Sequence, residues 1–229
     1  MIKNVFLDLD DTLLDFRSAE REALTQTLIH LGIEPDIRIL NRYSELNLEH
    51  WKMLERGEIT REQVKIGRYQ SLFSELGIDR SAEEATAYYE VQLGKQHGFI
   101  DGAEQLLSDL KADGYRLYIV SNGTASVQES RLNSTGIKHC FDGIFISQNI
   151  GFDKPDARFF ERCFACIPDY DPAQSVIVGD SITSDIKGGK NAGIATVWFN
   201  PSGAPNNSET VPDYEIRFLH QLPKLLESI

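Results

Sequence analysis

Two aspartates near the N-terminus are spaced as a carboxylate pair. Asp8 and Asp10 lie in the segment DLDDT, directly after a short apolar run. If that run is a strand, residues i and i+2 share a side, so both carboxylates are expected to point the same way. Like charges this close repel each other unless a cation or a proton separates them. A plainer alternative is that acidic residues simply end a strand at a turn.

Three further polar segments follow apolar runs later in the chain. Each has an ordinary explanation of its own: a Ser-Asn-Gly turn, a solvated lysine, or an aspartate that caps a helix. However, the carboxyl ends of parallel strands meet at one edge of a sheet, so these groups are expected to gather around Asp8. They supply a hydroxyl from Ser121, an ammonium from Lys154 and a carboxylate from Asp180. Asn122 follows Ser121 directly, and Asp185 lies four residues beyond Ser181.

Phosphoryl transfer from a phosphate monoester accounts for this set of groups. Such a substrate is already anionic, so attack by the carboxylate of Asp8 needs cations that suppress the repulsion. Oxygen ligands from Asp8, Asp180 and water suit Mg²⁺, with Mn²⁺ as the alternative ion. Asp10 is expected to protonate the leaving alcohol and then to deprotonate the water that hydrolyses the aspartyl-phosphate.

The remaining cation and hydroxyls are expected to hold the transferred group. Lys154 would neutralise charge near Asp8 and the transferring oxygens, so it is predicted both to assist catalysis and to bind substrate. Ser121 and backbone N–H groups after the strands would bind the phosphoryl oxygens. Thr12 and Asn122 complete the predicted substrate contacts.

The elements that position these residues alternate between strands and helices. Short apolar runs near residues 3–9 and over 101–229 are rich in β-branched residues, as expected of strands covered on both faces of a parallel sheet. Asp101 is predicted to cap the helix that follows it, and Gly114 to end that helix. The predicted fold class is therefore α/β, with a doubly wound parallel sheet. The later runs are YRLYIV (115–120), GIFI (143–146), SVIVG (175–179) and IATVWF (194–199).

Residues 16–97 have a different pattern. Apolar residues recur at helical spacing and strand-like runs are absent, while Thr60-x-x-Gln63 and Ser81-x-x-Glu84 have the spacing of capping boxes. We therefore predict a helical cap domain of four or five helices over 16–97, inserted into an α/β core made of 1–15 and 98–229.

Five aromatic side chains in this helical segment could stack on a nucleobase. The alternative is that they pack the small core of the helical domain itself. They are Tyr43, Trp51, Tyr69, Tyr88 and Tyr89.

Composition narrows the class of partner. The 229 residues carry a net charge of −12, which argues against a surface for nucleic acid polymers but not against a small anionic ligand. No apolar run approaches the ~20 residues of a membrane span, so no membrane partner is expected. Three cysteines are too few for a disulfide framework, and Cys163 and Cys166 are predicted to be packing residues. We therefore expect a cytoplasmic protein, either a monomer or a small homo-oligomer.

The four polar segments, in this order, resemble the motifs of the haloacid dehalogenase superfamily. DLDDT matches the first motif, Ser121 the second, Lys154 the third, and GDSITSD (179–185) the fourth. The resemblance implies a Rossmann-like core, and it implies that the helical insertion is a cap that closes over the substrate.

The same resemblance implies a ligand set for the metal. Mg²⁺ would be held by Asp8, the backbone carbonyl of Asp10 and Asp180, with Asp185 as a partner outside the ligand shell. True dehalogenases of the superfamily attack carbon, need no metal, and lack the acid–base aspartate two residues after the nucleophile. The presence of Asp10 therefore favours a phosphatase.

At finer grain, the chain is similar to house-cleaning pyrimidine 5′-nucleotidases, which remove phosphate from nucleoside monophosphates. The likeness rests on VFLDLDDTLLDF, on residues 46–64, on SNGTASVQ and on GFDKPDARFF. It implies a nucleotide as the small phosphorylated substrate. The alternatives are a sugar-phosphate or phosphoglycolate-type phosphatase, a phosphomutase, and a catalytically inert metal-binding regulatory module.

Overall fold

The structure, a computed structural model, describes residues 1–229 and divides into two compact units. Unit 1 comprises Met1–Phe16 and His97–Ile229, and unit 2 comprises Arg17–Gln96. Neither unit contains a helix that combines the length and the hydropathy of a membrane span.

The regular structure contains six strands and ten α-helices, with three short 3₁₀ segments and one π-helical turn, Ile182–Ile186, between them. The strands are β1 (Asn4–Leu7), β2 (Arg116–Ser121), β3 (Gly143–Ile146), β4 (Ser175–Gly179), β5 (Ala195–Phe199) and β6 (Tyr214–Ile216). The helices are α1 (Phe16–His30), α2 (Ile37–Glu55), α3 (Arg61–Leu76), α4 (Ala82–Gly94), α5 (Ala103–Ala112), α6 (Ala125–Thr135), α7 (Ser147–Ile150), α8 (Ala157–Phe164), α9 (Lys187–Asn191) and α10 (Leu222–Glu227).

Unit 1 is built on a six-stranded sheet with the order β3-β2-β1-β4-β5-β6, in which every pairing is parallel. The chain winds outward from β1 in one direction and then, from β4 onward, in the other. Because connections run to both sides of the starting strand, a crevice forms between β1 and β4 at the carboxyl edge of the sheet. The predicted α/β, Rossmann-like fold class is confirmed.

Apolar side chains cover both faces of this sheet. In β1, Val5 and Leu7 belong to the core on one face, while Phe6 packs with Tyr118 and Phe160 on the other. Successive strand residues point to opposite faces, so a strand with two buried faces must be apolar throughout. This requirement explains why the central strands could be recognised as continuous apolar runs.

Two local predictions in unit 1 were wrong. Helix α5 is capped by Gly102, at φ 80°, and not by the side chain of Asp101, because the chain enters the helix through a left-handed glycine. Cys163 is buried in the core, but Cys166 is exposed because helix α8 ends at Phe164, before that cysteine is reached. Only Cys163 is therefore a packing residue.

The chain leaves unit 1 after β1 and returns to it through two segments that lie side by side. The N–H of Asp15 donates to the carbonyl of Gly98 at 2.9 Å, and the N–H of Ile100 donates to the carbonyl of Leu13 at 2.9 Å. Leu14 forms an antiparallel bridge with Phe99 between these two bonds. We call this pairing of residues 13–15 with 98–100 the strap.

Unit 2 is entirely helical and consists of α2, α3, α4 and all of α1 after Phe16. The predicted capping box at Thr60 and Gln63 is present, and Gly77 ends helix α3 in a left-handed conformation. Ser81 caps helix α4 by accepting from the N–H of Glu84. Local sequence signals therefore set the ends of these helices, as their types predict.

The core of unit 2 encloses a buried arginine among aromatic rings. Tyr43, Tyr69 and Tyr89 are fully buried and pack on one another, and the guanidinium of Arg68 lies 4.7 Å from the ring centroid of Tyr89. Arg68 also donates to the side chain of Asn47 at 2.7 Å. These three tyrosines therefore pack the core of unit 2, which was the alternative to stacking on a nucleobase.

The other two aromatic candidates in unit 2 are only partly buried. Trp51 lies under the guanidinium of Arg61, which is 5.4 Å from its ring centroid. Tyr88 stacks on His30 with ring centroids 4.0 Å apart.

Candidate active site

The polar residues predicted to act together lie at the carboxyl edge of the sheet in unit 1. In register, Leu7 of β1 pairs with Ile119 of β2 and with Val178 of β4. Asp8 therefore begins its loop between the ends of both neighbouring strands, and its N–H donates to the carbonyl of Val178 at 3.0 Å. Asp180 follows β4 directly, so the crevice of the doubly wound sheet brings the two aspartates together.

Lys154 lies at the centre of this group and is 1% exposed. Its Nζ donates to Oδ1 of Asp8, to Oδ1 of Asp185 and to the carbonyl of Val120, each at 2.6 Å. All three ammonium protons are thereby used by oxygens of the protein. Burial opposes the charge of Lys154, but the two carboxylates more than offset it and raise the pKa of the ammonium above its usual value.

Three carboxylates cluster around this lysine. One oxygen from each of Asp8, Asp180 and Asp185 lies within 4.8 Å of the others. Burial raises the pKa of Asp8 to about 8, and the negative charges of Asp185 and Asp10 add to this shift while Lys154 opposes it. The pKa of Asp180 is also raised well above its usual value, first by burial and then by Asp8. Three acidic groups thus lie close together, and the one ammonium among them bonds only to Asp8 and Asp185. Hard oxygen donors in this arrangement fit a divalent cation such as Mg²⁺.

Asp185 differs from the other two because protein donors occupy both of its oxygens. Oδ1 accepts from Lys154, and Oδ2 accepts from the N–H of Ser181 at 3.1 Å. Its carboxylate packs against Gly179, where a Cβ would lie only 2.3 Å from the Asp185 Cγ. Glycine at the end of β4 is therefore required for Asp185 to reach Lys154.

Two side chains hold the backbone of Asp180. The hydroxyl of Thr12, which is fully buried, accepts from its N–H at 3.1 Å, and the indole N–H of Trp198 donates to its carbonyl at 2.8 Å. The hydroxyl of Thr12 thus fixes the loop that carries Asp180, and its contact with substrate stays a prediction. Sequence reasoning assigned no role to Trp198, which lies in β5.

Asn122 holds the backbone of Lys154 through both ends of its amide. Its Nδ2 donates to the Lys154 carbonyl at 2.8 Å, and its Oδ1 accepts from the Lys154 N–H at 2.8 Å. These bonds join the loop after β2 to the loop that carries Lys154, and the contact of Asn122 with substrate stays a prediction.

Asp10 has partners of its own, separate from those of Asp8. Strand β1 ends at Leu7, so the alternation of a strand does not extend to Asp10. Its carboxylate accepts from Gln128 at 2.5 Å and from the guanidinium of Arg131. The side chain of Asp10 is therefore not part of the carboxylate cluster, which contains Asp185 in its place.

Ser121, at the end of β2, lies next to these partners of Asp10. Its hydroxyl accepts from Nε2 of Gln128 at 2.9 Å and from the N–H of Gly123 at 3.1 Å. Sequence reasoning missed Gln128 and Arg131, although they stand three residues apart on one face of a helix that directly follows Ser121.

The family of the chain follows from its likeness to known proteins. A family model described as haloacid dehalogenase-like hydrolase matches residues 2–193, a span that contains every residue of the site described above except Trp198. The chain belongs to the haloacid dehalogenase-like hydrolase family. The predicted membership and the predicted hydrolase class are both confirmed.

Within this family, similar proteins match along almost their whole length. The HAD-hydrolase YfnB of Bacillus subtilis, solved bound to magnesium, has a TM-score of 0.93 and 37% identity, with 98% of each chain covered. The pyrimidine 5′-nucleotidase PynA of Streptococcus pneumoniae is 36% identical over 93% of this chain and 90% of its own length. The pyrimidine 5′-nucleotidase YjjG of Escherichia coli is 28% identical over 97% and 96%, respectively.

Proposed function

We propose that the protein is a Mg²⁺-dependent phosphatase that forms an aspartyl-phosphate on Asp8 and acts on pyrimidine nucleoside monophosphates. The observation that carries the proposal is the presence of two carboxylates with separate surroundings at one sheet edge. Asp8 lies in a buried acidic cluster beside Lys154, whereas Asp10 is 26% exposed in its side chain and binds Gln128 and Arg131. A nucleophile and an acid–base group require such different environments.

Asp8 is the proposed nucleophile. One of its oxygens forms a bond to phosphorus while the bond from phosphorus to the leaving oxygen breaks. Only the ionised carboxylate attacks, so the charge of Lys154, 2.6 Å away, supports the reactive form. A Mg²⁺ ion held by Asp8 and Asp180, with the carbonyl of Asp10, would offset negative charge on the cluster and on the substrate.

Asp10 is the proposed acid–base group. It donates a proton to the leaving alcohol oxygen in the first step and takes a proton from water in the second. That water attacks phosphorus, the bond between phosphorus and Asp8 breaks, and inorganic phosphate leaves. Ser121 is proposed to bind an oxygen of the transferred group, as its place at the end of β2 allows.

Two considerations favour a phosphatase for nucleotides over other members of the family. Asp10 provides the proton donor that an alcohol leaving group needs and that a dehalogenase does not. PynA and YjjG, which resemble this chain along nearly their full lengths, are pyrimidine 5′-nucleotidases. We propose the same substrate class, pyrimidine nucleoside monophosphates, for this protein.

Phosphate release from a panel of monoesters tests the substrate. With Mg²⁺ or Mn²⁺ added, kcat/KM for pyrimidine monophosphates should exceed that for purine monophosphates, sugar phosphates and phosphoglycolate by about tenfold or more. Equal values for sugar phosphates and nucleotides would refute the nucleotidase assignment. Isomerised product without free phosphate would indicate a mutase, and inertness toward every ester would indicate a binding module.

Single substitutions test the two carboxylates. Asp8→Asn and Asp10→Asn should each lower kcat by about a thousandfold or more, because each removes a reacting group. Asp113→Asn, at an exposed helix end, is the matched control and should retain full activity. Acid quenching with labelled substrate should trap phosphoprotein from the unsubstituted chain and none from Asp8→Asn.

We further propose that residues 16–97 form the cap domain of this phosphatase and 1–15 with 98–229 its catalytic core. The helical character of unit 2 and its place in the chain, directly after the loop of Asp8 and Asp10, support this division. Limited proteolysis around residues 16 and 97 tests it. A phosphate mimic with Mg²⁺ should slow cleavage there, and identical cleavage rates with and without the mimic would count against a closing cap.

A further inference from the structure

A buried network in unit 1 connects Asp10 to Ser121 through two residues of helix α6. Gln128 is 2% exposed and Arg131 is fully buried. Nε2 of Gln128 donates to Oδ2 of Asp10 at 2.5 Å and to Oγ of Ser121 at 2.9 Å. Nη1 of Arg131 donates to Oδ1 of Asp10 and, at 3.1 Å, to Oε1 of Gln128.

The chemistry of the partners fixes the orientation of the Gln128 amide. A carboxylate only accepts and a guanidinium only donates, so the nitrogen must face Asp10 and the oxygen must face Arg131. The same nitrogen is therefore committed to Ser121 as a donor. Rotating the amide by half a turn would set two acceptors against each other and two donors against each other.

This orientation determines what the hydroxyl of Ser121 can do. Its oxygen already accepts from Gln128 at 2.9 Å and from the N–H of Gly123 at 3.1 Å. A hydroxyl has two lone pairs and one proton, so with both lone pairs used it can bind a further group only as a donor. At the carboxyl end of β2, the group that such a proton suits is an anionic phosphoryl oxygen.

Gly123 is the third part of the arrangement. A Cβ at this position would lie 2.2 Å from Nε2 of Gln128, far inside van der Waals contact. The glycine in the sequence Ser121-Asn122-Gly123 is therefore needed for Gln128 to reach Ser121, in addition to its N–H bond to the same hydroxyl.

We propose that Gln128 and Arg131 are positioning residues of the phosphatase. Gln128 directs the proton of Ser121 toward the phosphoryl group, and Arg131 holds the carboxylate of Asp10 where it meets the leaving oxygen. The proposal rests on the proposed function. In this proposal, Gln128 acts on phosphate binding through Ser121, and Arg131 acts on proton transfer through Asp10.

Two kinds of substrate separate these parts. An alkyl phosphate needs a proton at its leaving oxygen, whereas p-nitrophenyl phosphate releases a stable anion without one. The ratio kcat/KM reports the steps up to phosphoryl transfer, so its dependence on the leaving group isolates the acid step. The binding constant of inorganic phosphate reports on Ser121 without any turnover.

Gln128→Met keeps the length of the side chain and removes its hydrogen bonds. It should weaken the binding of inorganic phosphate about tenfold and raise KM for alkyl and aryl substrates alike. Gly123→Ala, which displaces Gln128 by contact, should reproduce the weaker phosphate binding. Gln105→Met, on the exposed face of helix α5, is the matched control and should change neither constant.

Arg131→Met should lower kcat/KM for an alkyl phosphate at least tenfold more than for p-nitrophenyl phosphate. Arg131→Lys should recover part of this difference, because a lysine keeps the charge but not the planar pair of donors. Arg162→Met, at an exposed position of helix α8, is the control. An equal loss on both substrates would reduce Arg131 to a structural role, and unchanged kinetics would overturn the proposal for this residue.

The binding of inorganic phosphate tests this proposal separately from the proposed function, because it needs no turnover. If the unsubstituted protein hydrolyses no ester, the proposed function fails, while weaker phosphate binding by Gln128→Met would still support the role of this residue at Ser121. If Gln128→Met and Gly123→Ala bind phosphate as tightly as the unsubstituted protein, the proposal for Gln128 is overturned, whether or not the enzyme is active.

Discussion

Replacing Asp180 with asparagine should stabilise the protein without metal and remove its response to Mg²⁺. One oxygen each of Asp8, Asp180 and Asp185 lies within 4.8 Å of the others, while Lys154 supplies the ammonium among them. At a separation of 4.8 Å and an effective dielectric constant of about 20, each like-charged pair repels by about 3.5 kcal/mol. Asp180 takes part in two such pairs.

The net effect is smaller than the sum of these repulsions. Partial protonation of the buried carboxyls already relieves part of the repulsion, and the substitution also removes an attraction to Lys154. We therefore expect a gain of about 2 kcal/mol in the free energy of unfolding, which for a chain of this length raises Tm by about 4–8 °C. Saturating Mg²⁺, at about a hundred times its Kd, should add about 2.7 kcal/mol to the unsubstituted protein and little to the variant.

Thermal unfolding with EDTA and with a series of Mg²⁺ concentrations measures both effects. Asp113→Asn, an exposed carboxylate, is the control and should behave as the unsubstituted protein in both conditions. A lower Tm of Asp180→Asn in EDTA would show that repulsion does not dominate the cluster. A full Mg²⁺-dependent shift in the variant would show that Asp180 does not hold the ion.

Three further substitutions test other parts of the structure. Asp213→Asn should lower the free energy of unfolding by about 1 kcal/mol, because it removes the charge that pairs with Lys190 and that strengthens the hydrogen bonds from the N–H and the hydroxyl of Thr196. Burial opposes the charge of Asp213, but its hydrogen bonds lower its pKa, so the contribution is present above the ordinary aspartate pKa and is lost as the pH falls through the lowered value. Urea titrations at decreasing pH check this, and a cost that is independent of pH would contradict it. Tyr89→Phe should leave thermal stability unchanged or raise it by up to about 1 kcal/mol, because the buried hydroxyl makes no hydrogen bond of good geometry and only Tyr43 lies in position to donate to it; a clear loss would show that the bond from Tyr43 forms. Gly179→Ala should cost about 2–3 kcal/mol in chemical unfolding, because the new Cβ would lie 2.3 Å from Cγ of Asp185, and a neutral result would mean that the carboxylate can move aside.

The strands next to the site could be predicted because burial on both faces makes them continuous apolar runs. The runs GIFI and SVIVG coincide with β3 and β4, and the polar residues that end such runs lie at the sheet edge. Strand β6 was missed because Tyr214 and Glu215 are exposed, so no apolar run marks it. A short strand at the edge of a sheet has too few buried residues to produce a recognisable apolar run in the sequence.

Within the site, the gathering of Asp8, Lys154 and Asp180 follows from the parallel topology, while their roles stay predictions. Gln128 and Arg131 could not be found because two polar residues three apart on a helix usually form a solvated face. Only the fold reveals that this face turns inward and meets Asp10. Likewise, an aspartate and a glycine at positions 101 and 102 give no sign of which one begins the helix.

The strap described above makes the helical insertion a self-contained module. Because residues 13–15 pair with 98–100, the chain enters and leaves unit 2 at neighbouring points, whatever number of residues lies between them. The entropy of closing a loop grows only slowly with its length, so helices could be added, removed or exchanged there at small cost to the sheet. An enzyme organised this way could acquire selectivity for a new leaving group through one exchange of sequence, while the residues that handle phosphate stay untouched.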